Sequence, residues 1–168
     1  MPHQQQQPSK VTFTKYESGD QLVVQWNPSE LKEGVTASWG RLKTMGMSHT
    51  QPQFGNTENH SVSFDLAFSA YDDRGNQINN MARARRFLLS CCYPKRGAQT
   101  IAGGAPERII FVWPKLISFT TLIESVEFTH QSFALDGQPT RTTAALKIEE
   151  IRDVRLYAED VFSSGTLR

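Results

Sequence analysis

The stretch FALDGQPTRTTAALKIEEI, Phe133 to Ile151, reads as the second half of a β-hairpin. Asp136-Gly137 is a turn pair, because glycine accepts the positive φ that a tight reversal needs. The return strand, Thr140 to Ile151, alternates with a period of two. Thr142, Ala144, Leu146 and Ile148 point one way, toward a core. Thr143, Ala145, Lys147 and Glu149 point the other way, and they are too small and polar for a core face. A long strand with one dry face and one polar face belongs to an antiparallel sheet packed on a single side.

The neighbouring segments fit that sheet. Lys115 to Leu135 is one long or bulged strand leading into the turn. Glu107 to Pro114 is apolar on both faces from Ile109 to Trp113 and reads as a central strand. The clearest alternation lies earlier: Val62, Phe64, Leu66, Phe68 and Ala70 share one face, and Ser63, Asp65, Ala67 and Ser69 share the other. Val11 to Tyr16 and Gln21 to Trp26 are strands around the Ser18–Asp20 turn, the second stopped by Asn27-Pro28. One helical turn is expected over residues 29–32, and a strand over Val35 to Leu42. Gly46, Pro52 and Gly55 mark residues 43–59 as a long loop.

A turn over Asp72 to Asn76 precedes the one strong helix, Gln77 to Cys92, which ends before Pro94. At 3.6 residues per turn, Ile78, Met81, Leu88, Leu89 and Cys92 share its apolar face. Arg85 falls within that stripe, as a side chain reaching to the rim or as one half of a subunit ion pair. Phe87 falls on the opposite side beside Arg83 and Arg86, so Arg83, Arg85, Arg86 and Phe87 form a candidate subunit interface. Residues 95–106 are a Gly-rich loop without the spacing of a phosphate cradle. About seven strands and one helix give a mainly β fold, an antiparallel β-sandwich or barrel with one flanking α-helix. Residues 1–9 read as a disordered tail, 10–152 as one domain and 153–168 as a C-terminal arm.

Composition narrows the function classes. The 168 residues carry 18 basic and 17 acidic side chains, a formal net charge of +1. Such a balance offers no electrostatic footprint for nucleic acid or an anionic membrane. No apolar run approaches the roughly 20 residues that span a bilayer, and the polar start MPHQQQQPS is no secretory signal. Cys91 and Cys92 are adjacent, so reduced thiols and intracellular synthesis are expected. His3, His49, His60 and His130 have no partner at metal-ligand spacing, and no nucleophile motif is present. The acidic pairs Asp72-Asp73 and Glu149-Glu150 do not resemble carboxylates converging on a substrate. The expectation is a non-enzymatic chain without cofactor or metal.

Three stretches together resemble the contractile injection system tube family. VVQWNPSELKEGVTASW, Val23 to Trp39, is similar to its opening, with Asn27, Pro28 and Trp39 at the characteristic places. FDLAFSAYDDRG, running into the helix, is similar to its strand, acidic turn and helix. The third runs from Pro106 to Ile151 and places Trp113, Phe133, Asp136, Gly137, Pro139 and Arg141 at motif positions. The resemblance covers roughly residues 10–152. Two departures stand out: Pro114 where family members often have glycine, and no room for the C-terminal LysM module that many carry, so no peptidoglycan role is carried over.

The resemblance implies a tail-tube-like subunit, six to a ring, at the junction of the inner tube with the baseplate hub and spike. The particle would be a phage tail or tail-like injection device, assembled in the bacterial cytoplasm. Partners would be other copies, the tube protein and hub or spike proteins, with DNA or cargo passing through the lumen without specific binding. It also implies a role for the polar faces: Ser63, Asp65, Ala67, Ser69, Thr143, Ala145, Lys147 and Glu149 would line that lumen. A repeated tube subunit or a secretion-type carrier ring has the same fold. From patterning alone the same faces also suit the solvated side of a monomeric β-sandwich binding module.

Overall fold

The computed structural model describes residues 9–43, 45–71, 80–95 and 104–152. Its elements are β1 (Thr12–Lys15), β2 (Gln21–Val23), β3 (Lys32–Gly34), β4 (Ala37–Leu42), β5 (Gln51–Thr57), β6 (Ser61–Ser69), α1 (Asn80–Ser90), β7 (Ile109–Trp113), β8 (Ile117–Phe133) and β9 (Pro139–Glu150). Seven strands form one antiparallel sheet in the order β2-β1-β7-β8-β9-β6-β3, and β4 and β5 form a separate two-stranded sheet.

The large sheet rolls over on itself. Phe13 of β1 and Phe64 of β6 belong to strands far apart in the sheet order, yet their ring centroids lie 6.2 Å apart. Phe111 of β7 stacks on Phe64 at 5.4 Å. The core lies inside the roll, where Phe13, Leu22, Leu66, Phe68, Ile109, Phe111 and Ile148 are buried. Helix α1 adds Ala84 and Leu88 to it, followed by Cys91. This is the mainly β, antiparallel sandwich or barrel with a flanking helix that the alternation predicts. In β6 the buried face is Val62, Phe64, Leu66 and Phe68, and in β9 it is Thr142, Ala144, Leu146, Ile148 and Glu150.

Several expectations are corrected. Residues 43–59 are not all loop, because β5 occupies Gln51–Thr57 and pairs with β4. The strand over Val35 to Leu42 joins no core sheet, and every residue of β4 and β5 is exposed. The helical turn expected over residues 29–32 is not formed, and Lys32 starts β3, which pairs with the beginning of β6. The segment from Lys115 to Leu135 holds a turn at 114–116 and then β8, with a bulge between Ile123 and Ser125. On α1 the deeply buried residues are Ala84 and Leu88, whereas Met81, Phe87 and Cys92 are partly buried against the core. Phe87 therefore faces inward, not away. The turn at 72–76, Ile78, the start of the helix, most of the 95–106 loop, the N-terminal tail and residues 153–168 lie outside the described residues.

Candidate functional site

The strands β3, β6, β9 and β8 build the polar face that carries Thr143, Ala145, Lys147 and Glu149. Register places Ser63, Lys147 and Ser125 in one row across it, then Asp65, Ala145 and Glu127. Ala67, Thr143 and Thr129 form the next row, and Ser69, Arg141 and Gln131 the last. Ala145 and Lys147 are exposed, and Thr143 and Glu149 are half-buried. Lys147 donates to Glu124 at 2.9 Å, and this bond foremost holds its ammonium pKa above the usual value. Asn59 donates to Glu149 at 2.6 Å. Among the described residues, Asp65, Glu124, Glu127 and Glu149 on this face, with Glu30 and Glu58 beside it, stand against Lys32, Arg141 and Lys147, so the face is mildly acidic.

Among the described residues, both flanks of this four-strand segment carry open edges. β7 pairs β8 only from Ile117 to Thr121, although β8 continues to Phe133. β3 pairs β6 only from Ser61 to Ser63, although β6 continues to Ser69. Backbone parity identifies the open groups. The amide of Ile151 donates to Thr120, that of Glu150 to His60 and that of Ala70 to Thr140. In β9, even positions therefore face β6 and odd positions face β8. It follows that Val126, Phe128 and His130 of β8, and Asp65 and Ala67 of β6, turn their N–H and C=O groups outward to the open edges. At the end of the β6 edge, the Gln25 side chain accepts from the Ser69 amide at 2.8 Å and closes it off.

The motif residues have local roles. The Asn27 side chain accepts from Val11 N–H and donates to Ser9 C=O, each at 3.0 Å, which ties down the entry to β1. Trp113 meets Phe64 edge-on at 6.4 Å. Gly137 turns the hairpin at φ 79°, and Asp136 accepts from Gln138 N–H at 3.1 Å. Pro139 stands opposite Phe133, and Arg141 joins the polar face opposite Gln131. Trp39 is exposed on the β4–β5 hairpin and contacts only its strand partner's ring, Phe54, among the ring contacts of the described residues.

The four candidate interface residues of the helix all have contacts within the chain. The Arg85 guanidinium lies 6.0 Å from the Phe128 ring centroid, and Lys15 Nζ lies 5.3 Å from that of Phe87. Arg83 donates to Gln21 C=O at 3.3 Å and Arg86 to Ala82 C=O at 3.2 Å.

Sequence reasoning missed two ionic clusters. Glu107, 7% exposed, accepts from the amides of Glu17 and Ser18 and meets Lys95. Burial works to raise its carboxyl pKa, but the two amides and Lys95 outweigh it and hold the group below its usual value. His60 lies 3.4 Å from Glu33 and 3.5 Å from Glu150, and Arg152 lies 2.7 Å from Glu150. Both clusters tie sheet ends together. Among the described residues no group of three or more His, Cys, Asp or Glu side chains converges as a metal site. Cys91 and Cys92 are free thiols, and burial pushes Cys91 up to about 11, away from nucleophilic reactivity. None of the described helices is long and apolar enough to cross a membrane.

The antiparallel β fold with one flanking helix is the one the resemblance implies, and the family comparison decides the matter. The family model described as contractile injection system tube protein matches residues 6–158. The chain belongs to that family. Among solved structures, it is similar to a chain from the virion of a native gene transfer agent particle, at 10% identity and a TM-score of 0.42, covering 91% of this chain and 99% of that one. A second similarity is to a chain from the tail of an empty gene transfer agent particle with C6 symmetry, at 11% identity and a TM-score of 0.41, covering 89% and 95%. No curated protein matches significantly. The tube family is structural, and the chain is a structural tail component within it.

Proposed function

We propose that this tube-family protein closes into a hexameric ring at the junction between the inner tube and the baseplate hub of a contractile phage tail or tail-like injection particle. The observation that carries the reading is the pair of open edges flanking β3, β6, β9 and β8. Backbone groups left open at Val126, Phe128 and His130 on one side, and at Asp65 and Ala67 on the other, are a template for strand pairing between neighbours. Head-to-tail repetition of that contact closes a ring, and closure pairs both of these edges. The polar face of Ser63, Asp65, Ala67, Ser69, Thr143, Ala145, Lys147 and Glu149 then lines the lumen. Its small side chains and mild acidic excess let DNA or cargo slide without sticking. Arg83, Arg85 and Arg86 lie outside the barrel wall and serve subunit contact there.

The test is a proline at an open edge. Ala67 is exposed, and its N–H faces away from β9, so Ala67→Pro removes an edge donor without touching the β6–β9 ladder. The expected result is a folded monomer, with stability lowered by no more than about 1 kcal/mol, where the wild type forms rings. Rings of unchanged mass from Ala67→Pro would contradict edge pairing through β6.

A further inference from the structure

The open edge of β6 is short and bounded at both ends. At its start, β3 covers Ser61 to Ser63. Ser61 Oγ donates to Gly34 C=O at 3.3 Å and His60 lies 3.4 Å from Glu33, which together hold β3 in place. At the far end stands a side chain, not a strand. Gln25 Oε1 accepts from the Ser69 amide at 2.8 Å, and Gln25 Nε2 donates to Tyr71 C=O at 3.1 Å. A carboxamide carries the same donor and acceptor as a peptide group. The Gln25 side chain therefore fills the place that a partner strand's backbone would take at Ser69 and Tyr71. Between the two stops, Asp65 and Ala67 are the described residues that turn both N–H and C=O to the open edge.

Gln25 is held in position from both sides. The Val24 amide donates to Val11 C=O at 3.1 Å, and Lys10 Nζ donates to Gln25 C=O at 2.8 Å. Asn27 is tied to Val11 and Ser9. Ser69 Oγ accepts from the Tyr71 amide at 3.1 Å, where the chain bends at the end of β6. Such a stop supplies something that alternation cannot. Slipping an added strand by one residue turns its side chains to the wrong face. Slipping it by two keeps every side chain on its face, and the row Ser63, Asp65, Ala67 and Ser69 has no large side chain to oppose that slip. A two-residue slip displaces a copy by roughly 7 Å along the strands, and one slipped joint leaves the ends of a ring out of line.

We propose that Gln25 is a register stop for strand addition: its amide stands in for a partner strand at Ser69 and Tyr71, and so confines an incoming strand to Asp65 and Ala67. This rests on the ring reading, in which β6 receives a neighbour's strand, and adds the residue that sets the register. Gln25 is a positioning residue, acting through the backbone groups that it occupies.

Two variants of the full chain separate a register stop from a merely structural cap. Gln25→Met keeps the length of the side chain and removes both polar groups. Gln25→Glu keeps an acceptor for the Ser69 amide. The probe is a synthetic peptide of residues 124–133, the sequence of the open β8 edge, added at a concentration where the chain is monomeric. Residue-resolved hydrogen exchange reads where it adds. On the wild type, the peptide is expected to slow exchange at Asp65 and Ala67 and to leave Ser69 unchanged. In Gln25→Met the Ser69 amide exchanges roughly tenfold faster on its own, and the peptide then slows it as well. Gln25→Glu keeps the wild-type pattern. In negative stain, wild-type rings have one size, and Gln25→Met gives mixed sizes and open arcs. Peptide protection still confined to Asp65 and Ala67 in Gln25→Met, or uniform rings from that variant, overturns the stop and leaves the ring reading intact. A peptide that protects neither Asp65 nor Ala67 also overturns the stop, whatever the rings do. A wild type that forms no rings overturns the ring reading alone, and the peptide results still decide the stop.

Discussion

Neighbouring residues on β9 meet opposite environments. Leu146 is 2% exposed inside the roll, and Lys147 stands on the polar face paired with Glu124. Leu146→Asp places a carboxylate without a partner among Phe64, Ala144 and Ile148 and costs more than about 4 kcal/mol, enough to abolish folding. Lys147→Ser removes only an exposed pair and leaves the denaturant midpoint within error of wild type. Guanidinium unfolding followed by circular dichroism checks both. This contrast was legible in the sequence because a period of two assigns every second residue to one face. Glu107 was not legible, since its partners Glu17, Ser18 and Lys95 are distant in the chain. Its carboxyl is held below the usual 4.5, so its contribution is complete above that value and is lost as pH falls through the lower, folded value. Glu107→Gln should cost about 1–2 kcal/mol at neutral pH. The difference from wild type should shrink as pH falls below the usual carboxylate range, and denaturant melts across that range measure it.

At the scale of elements, the long strands declared themselves and the arm did not. β6 and β9 each have one face in the core, and burial writes itself into their sequences as alternation. β5 has no core face, so Pro52 and Gly55 are tolerated in it and read as loop signals. Phe87 was misplaced for a related reason: α1 meets the roll along Ala84 and Leu88, and a small alanine at the contact lets a flanking aromatic turn inward. The open edges were also invisible, because they depend on where β7 and β3 stop pairing and not on any residue type. Since the arm shares no core with the large sheet, replacing residues 37–57 with a short Gly-Ser linker should leave that sheet folded. Its Tm is expected to move by less than about 5 °C, which a thermal melt of the shortened chain would show.

For the whole molecule, one rolled sheet separates three tasks. The inside of the roll supplies stability through buried aromatic and aliphatic side chains. The outside of β6, β9 and β8 is a polar face, and in the proposed ring it would be the wall and the edges beside it the joints. The fold class and this wall were readable from patterning and from the family resemblance. The open edges on which the proposed ring rests had to wait for the register. The mass of the purified 19.0 kDa chain, measured by light scattering with negative-stain images of the same peak, tests the central claim most directly. The account predicts a species of six copies that images as closed rings with an open lumen. A chain that stays a monomer at every concentration, with the amides of Ala67 and Phe128 exchanging freely with solvent, would contradict it.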